Sequence, residues 1–432
     1  MEELRYLPKS FTEDFNNVLL VTVDSVEVTE ENTFRIRFDG ITNEWFQEFR
    51  NQELSEVYQK MESYHLLGEF GEDLNQWLSQ VTDDPKYSSW FLLRLTAKKT
   101  QSPIEYFQDI SELPEQVSSN IQSIQTIQNN ADLSEGLGKF FNWDDFGSAN
   151  LGDLENALVK PHSSKTNGYK AVYPHKLNVY NVGQGSMSAI SDHNNVPLIY
   201  FDLGGGYYWH ANTYPNTKQL CFTLANTIVL SHWHQDHFET IRRYTYNNWN
   251  RFNNKTWIIP KQQISSGYFK LLAQMASNGT VLVWDNSINE VRFWGGKIVK
   301  CTGVDKNHSG LALIVMSEGN SVSRILHPAD AAYKYIPGIK KMKFNGLVAT
   351  HHGANFPDGN SPIPRTSVEV GNIAYSHANK YGHPTQLSID AHERMGWTNR
   401  RDTINGSISF STVNDLRTPC GNGCDLSCQQ YY

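Results

Sequence analysis

The stretch Thr227–Ile241, TIVLSHWHQDHFETI, decides how the chain is read. Thr227–Leu230 is a short apolar run of the kind that forms a buried strand. Straight after it come His232, His234, Asp236 and His237, and these three histidines belong to a chain that has only 15. In an extended segment, residues two apart share a face, so His232 and His234 can point at one cation. Asp236 and His237 follow a change of direction and can serve a second cation beside it. Imidazole with carboxylate suits zinc first, and also manganese or iron. The plainer alternative is a polar surface loop with chance histidines. The dense spacing directly behind a strand speaks against it.

Later segments offer further ligands in order. VDKNHSGLALIV places His308 just before a strand, and SRILHPADAAY places Asp330 just after one. GLVATHHGANF puts His351 and His352 at another strand end, and NKYGHPTQ puts His383 in a Gly-Pro loop. Singly, each histidine is more readily structural. Together, at successive strand ends, they extend one cluster. Two metals about 3.5–4 Å apart would activate a water and clamp a substrate oxygen.

The rest of the chain frames this cluster. Its 432 residues suffice for two domains, and 39% hydrophobic with 12% aromatic residues makes it globular. No apolar run reaches the ~18 residues of a membrane span, and the acidic, mixed start MEELRYLPKSFTEDF is unlike a signal peptide. The expected compartment is the cytoplasm, with no membrane partner. A net charge of −8 argues against a general nucleic-acid binder but allows a locally positive cleft.

Residues 1–170 read as a smaller α+β domain with a connector. Asn17–Phe38 looks like a hairpin, Glu44–Leu67 and Phe70–Val81 like amphipathic helices, Ser88–Lys99 like a strand, and residues 116–170 like helix and connector. From Lys176 apolar strands recur with polar or Gly-rich C-terminal ends, so residues 171–415 read as an α/β layer domain with its functional loops on one edge. Residues 416–432 form a tail with Cys420, Cys424 and Cys428, which Gly421 and Gly423 keep from being a helix.

Lys176–Thr412 resembles a known family. HWHQDH is the HxHxDH signature of the metallo-β-lactamase superfamily. YNVGQGSMSAI, IYFDLGGG, LHPADA, THHGA, YSHANKYGHP and HERMGWTNRRDTINGSISF are similar, in order, to the motifs of the ComEC-type competence-protein hydrolase domain and its soluble relatives. Asn181 and Ser186 stand where that group usually has Asp, and HPAD replaces the usual Thr-Gly before the Asp. The resemblance implies an αββα sandwich with two divalent ions. His232 and His234 would hold the first, Asp236 and His237 the second, and Asp330 would bridge them. One of His351 and His352 would complete the second site, while the other faces substrate. His308 is the candidate third ligand of the first. Asp202 either supports a ligand histidine or caps a Gly turn. His383 would sit over the centre and bind a phosphate oxygen or protonate a leaving group, helped by Asn379 and Tyr381. Asp236 or Asp330 would accept the proton.

Three function classes follow. The favoured one is a metal-dependent phosphodiesterase or nuclease, suited by analogy to defence against foreign nucleic acid. The others are an ester, lactone or amide hydrolase and a recognition protein retaining the fold. Asp330 and His351 are only 21 positions apart, which excludes the β-CASP nucleic-acid-processing subfamily. Downstream of the metal loop, Arg242, Arg243, Arg251 and Lys255 interleave with Tyr244, Tyr246, Trp249 and Phe252. That pattern holds single strands by stacking and charge, and Arg242 and Arg243 are its candidate substrate contacts. The same pattern also describes an amphipathic segment packing its rings inward. Residues 1–170 are a candidate surface for a protein partner.

Overall fold

The computed structural model describes residues 18–28, 34–61, 63–70, 90–96, 103–108, 117–126, 131–159, 176–192, 195–206, 212–215, 220–222, 224–245, 249–317, 320–354, 365–366, 370–378, 382–411 and 415–417. The chain divides into two compact units. One comprises Met1–Asp145 with Gln263–Ser277, and the other Phe146–Gln262 with Asn278–Tyr432. The division thus falls at residue 145 instead of 170, and a piece of the second half joins the first unit. The reason is local. In the helix Ser266–Asn278, the Tyr268 hydroxyl donates to Asp24 at 2.8 Å and the Gly267 N–H to Asp39 at 3.2 Å. Ala149, in contrast, bridges to Trp284 in the second unit.

The first unit holds a closed six-stranded barrel together with the helices Asn43–Phe49, Ala131–Phe140 and Ser266–Asn278. Its strand order is Val18–Val28, Phe34–Thr42, Ser63–Phe70, Pro103–Gln108, Val117–Thr126 and Trp90–Thr96. The hairpin at its start is as expected. The helix expected over Glu44–Leu67 is shorter. Asn43–Phe49 is capped by the Thr42 side chain, and a second turn covers Leu54–Val57. From Ser63 the chain pairs antiparallel with Phe34–Thr42 and continues as the strand Ser63–Phe70. The stretch 117–126, expected as helix, is also a strand. Its isoleucines, three apart, mimic a helical period, but a register shift fits one extra residue, so Ile121 is the backbone partner of Leu95 and Ile124 that of Leu93. The expected helix at 70–81 and the cysteine tail lie outside the described residues.

The second unit is a two-sheet α/β sandwich. One sheet runs Thr280–Trp284, Thr256–Pro260, Thr227–Val229, Pro197–Leu203, Met187–Ser191, Lys176–Val179, Ile408–Ser411 and Asp415–Arg417. The other runs Glu290–Phe293, Gly296–Lys300, Leu311–Ser317, Asn320–His327, Gly346–Val348, Asn372–Tyr375 and Asn399–Asp402. Period-2 alternation sorts the second sheet's side chains. Leu311, Leu313 and Val315 join Val179, Phe201 and Ile258 of the first sheet in one core. Ala312 and Ile314 turn to the opposite face, where Ile389 of the helix Gln386–Arg394 covers them with Trp397. Strands buried on both faces read as continuous apolar runs, as these do. Among the described residues no helix is long and apolar enough to cross a membrane.

Candidate metal centre

The sheets carry their loops to one place. Thr227–Val229 pairs in parallel with both neighbours, and so does Gly346–Val348. Parallel strands put their carboxyl ends on one edge, where open α/β sheets bind ligands. From those ends come His232–His237, Asp330 and His351–His352.

Two groups of metal-type ligands form there. His232, His234 and Asp330 make one, and Asp236, His237 and His352 the other, with ligand atoms inside each group within 4.8 Å of one another. Asp330 faces both. Its Oδ1 is 3.1 Å from His237 Nε2 and 3.8 Å from His352 Nε2, while its Oδ2 is 3.6 Å from His232 Nε2. His352 Nε2 lies 3.1 Å from Asp236 Oδ2. His352 is thus the member of the His351/His352 pair that enters the cluster. Both residues occupy the left-handed region, with φ of 47° and 54°, and that turn separates their rings. His351 is 41% exposed and reaches Asp330 Oδ2 at 3.6 Å from the open side.

Buried partners fix how each imidazole is protonated. Asp202 Oδ2 accepts from His237 Nδ1 at 2.7 Å, and its Oδ1 accepts from the Ser231 N–H at 2.6 Å. The Ser231 hydroxyl donates to Asp202 Oδ2 at 2.8 Å and so accepts from His232 Nδ1 at 3.0 Å. His352 Nδ1 donates to the Ser376 carbonyl at 2.6 Å. When neutral, all three rings therefore carry their proton on Nδ1 and turn the Nε2 lone pair to the site. Asp202 therefore supports a histidine as well as ending a strand before a Gly turn. Ser231 and Ser376 were not singled out from sequence. Ser231 immediately precedes His232, a place from which a hydroxyl can reach a ligand ring, whereas a carbonyl such as that of Ser376 leaves no mark in sequence.

This donor set fits divalent cations. The Nε2 atoms of His232 and His237 are buried and make no hydrogen bond among the described residues, although Asp330 is near both. Such atoms are costly to bury unless something satisfies them. The electrostatics agree. Burial opposes charge on His237, but Asp330, Asp202 and Asp236 outweigh it and push its pKa well above the ordinary value. His352 is raised likewise against its burial, by Asp330 and Asp236. Burial would lift the Asp330 carboxyl, yet His237, His351 and His352 hold it well below the ordinary range. Burial and the neighbouring His237 drive His232 the other way, well below its ordinary pKa. The carboxylates call for positive charge, and protons on Nε2 or metal ions can supply it.

The remaining candidates fall elsewhere. His308 belongs to neither group. Its Nδ1 lies 2.6 Å from Asp305 Oδ2 and its ring packs on Tyr335 at 4.6 Å. The His383 ring is 6.1 Å from that of His351, beside the cluster. Burial, with His351 and His352 nearby, pulls its pKa down to about 3, so it is neutral at pH 7 and out of range for protonating a leaving group. Arg242 and Arg243 are engaged within their own helix. Both pair with Glu239, at 3.7 and 3.1 Å, and Arg243 also donates to Gly206 O and covers the Tyr214 ring. Phe252 is fully buried, and Lys255 donates to Ala225 O beneath the Phe222 ring. Phe252 and Lys255 of the basic, aromatic stretch thus pack inward, and the side chains of Tyr244 and Tyr246 lie outside the described residues. Asn379 and Tyr381 lie outside the described residues.

No protein-family profile and no curated protein matches the chain. Among solved structures, the metallo-β-lactamase fold protein YhfI from Bacillus subtilis aligns at 13% identity over 55% of this chain and 100% of its own, with a TM-score of 0.34. Zinc-bound PqqB from Methylobacterium extorquens aligns at 10% identity over 55% and 99%, with a TM-score of 0.33. A diphosphatase of the PhnP family aligns at 10% identity over 55% and 98%, with a TM-score of 0.31. At these scores the α/β assignment rests on the sheets and loops described above.

Proposed function

We propose that this chain is a dinuclear metal-dependent hydrolase acting on phosphoesters, with phosphodiesters, nucleic acids among them, as the substrate class. The observation that carries it is Asp330, whose two oxygens face two separate ligand groups. His232, His234 and Asp330 would hold one ion, and Asp236, His237 and His352 the other, with Asp330 shared. When bound, two such ions lower the pKa of water and stabilise negative charge as it develops.

The chain's own residues then account for orientation. Asp202, Ser231 and Ser376 hold Nδ1 of His237, His232 and His352, which turns the Nε2 atoms of these three rings to the site. His351 lies on the open side of Asp330, with His383 beside it. These two imidazoles support the phosphoryl assignment. A phosphoryl group brings two non-bridging oxygens in addition to the attacked bond, whereas a carbonyl brings one. Neutral His383 donates or accepts a hydrogen bond there and leaves proton delivery to another group.

The test is turnover by metal-loaded protein of bis(p-nitrophenyl) phosphate and of single-stranded DNA and RNA, against a lactone and p-nitrophenyl acetate. Phosphodiester turnover that Asp330→Asn abolishes is the expected result. Turnover of the carboxylic esters alone would replace the reading with an ester or lactone hydrolase.

A further inference from the structure

We propose that His327 is the positioning residue of Asp330. Through its Nδ1 it holds the left-handed turn that aims the shared carboxylate at both ligand groups, an inference that rests on the dinuclear reading above.

Asp330 leaves its strand through a turn that a side chain disfavours. The strand Asn320–His327 ends at His327. Ala329, directly before the carboxylate, sits in the left-handed region at φ 51°. A Cβ makes that conformation costly, so glycine or a short polar residue that bonds locally is its usual occupant. Ala329 has no polar group with which to hold itself there. It is also buried, so its N–H needs an acceptor. His327 supplies one, with Nδ1 accepting from the Ala329 N–H at 3.1 Å.

The ring is itself anchored. With Nδ1 accepting, the proton sits on Nε2, which donates to Ser188 Oγ at 3.0 Å. Ser188 belongs to the strand Met187–Ser191 of the opposite sheet, so the imidazole spans the sandwich. Phe201, the backbone partner of Ser188, packs edge-on against the ring at 4.9 Å. All three side chains are buried. Burial, with His237 nearby, pulls the pKa of His327 down to about 3, so the ring is neutral and Nδ1 stays an acceptor.

The same turn is fastened on its other side to the histidine pair. The His351 N–H donates to Ala329 O at 3.0 Å, and the Thr350 hydroxyl donates to Ala331 O at 2.8 Å. His327 thus fixes the turn from inside the sandwich, while Thr350 and His351 fix it from the ligand edge. Between them Asp330 holds Oδ1 3.1 Å from His237 Nε2 and Oδ2 3.6 Å from His232 Nε2. A change of Ala329 to negative φ would re-aim Asp330 relative to both.

The test uses the full chain reconstituted with zinc, and reads metal equivalents and the affinity for the second equivalent by competition with a chelating dye. Two substitutions separate the contacts of the ring. Asn places its Oδ1 where Nδ1 stands, and Gln places its amide where Nε2 stands. His327→Asn therefore keeps the acceptor for Ala329 and loses Ser188, and His327→Gln does the reverse. His327→Gln is expected to lower the affinity for the second equivalent roughly 10–100-fold. His327→Asn is expected to retain most of that affinity, although Gln fills the buried space better. Ala329→Gly added to His327→Gln is expected to restore part of the loss, because glycine takes a positive φ without the Cβ cost. That double variant decides the matter if His327→Asn does not fold. Equal affinities in the Asn and Gln variants, a greater loss in the Asn variant, or no restoration by Ala329→Gly would overturn the proposal. Wild-type protein that saturates at a single equivalent removes the dinuclear reading and this inference with it, an outcome read without any variant.

Discussion

Asp202 Oδ2 stands 2.7 Å from His237 Nδ1, although 35 positions separate the two residues and both side chains are fully buried. Asp202 reaches this point from a left-handed backbone conformation, φ 61°, which Asp tolerates better than bulkier residues. The contact holds His237 in the tautomer that leaves Nε2 free. Asp202→Asn keeps the shape but can present an amide N–H where the acceptor stood. Metal affinity is expected to fall roughly 10–100-fold, read by competition with a chelating dye. An unchanged affinity would strip Asp202 of this part.

Metal binding is expected to release protons. His237 and His352 have raised pKa values in the metal-free protein, so both hold protons near neutral pH that an ion must displace. Affinity therefore rises with pH through the neutral range. Calorimetric titration in two buffers of different ionisation enthalpy measures the release. Binding with no proton exchanged would contradict the ligand assignment of these two rings.

Acid is expected to destabilise the fold through histidines behind the site. His327, which hydrogen-bonds Ser188 Oγ at 3.0 Å, is pushed down to about 3 by burial, and His392, between the Tyr333 and Tyr375 hydroxyls, to about 4. Their folded values lie below the unfolded one, so below about pH 6.5 the unfolded chain takes up protons that the folded chain cannot. Stability is present above that pH and is lost as pH falls. Between pH 7 and pH 5 each group costs about 2 kcal/mol. Thermal melts at the two pH values check this, and His392→Phe should flatten the dependence. A wild-type melt that does not move would refute it.

Arg243→Ala is expected to act on stability and not on substrate. It removes the Glu239 pair, the bond to Gly206 O and the contact with the Tyr214 ring. A loss of about 1 kcal/mol is expected, since the guanidinium is partly exposed. The KM for a phosphodiester should hold. A rise in KM with unchanged melting temperature would return Arg243 to substrate binding.

What could be read from sequence was what lies close along the chain or repeats regularly. HWHQDH, Asp330 and the HH pair stood out because ligand types cluster at strand ends, and the apolar runs of the second unit showed as strands because both of their faces are buried. His351 and His352 could not be told apart, since adjacency says nothing of which ring a left-handed turn carries inward. His308 has the residue type and place of a ligand, and sequence did not show that Asp305, three positions earlier, holds its Nδ1. Arg242 and Arg243 read as a nucleic-acid grip, and the spacing did not show that Glu239, one helical turn before them, pairs with both. The barrel was obscured by the isoleucine spacing of 117–126, which imitates a helix and is accommodated by one extra residue in a strand.

The central claim is that Asp330 is shared by two metal ions, and metal analysis of purified protein tests it most directly. Wild-type protein reconstituted at neutral pH and dialysed is predicted to hold two equivalents per chain. Asp330→Asn is predicted to hold at most one, with hydrolysis abolished and the circular dichroism spectrum unchanged. Saturation of the wild type at a single equivalent, or two equivalents with full activity in Asp330→Asn, would contradict it.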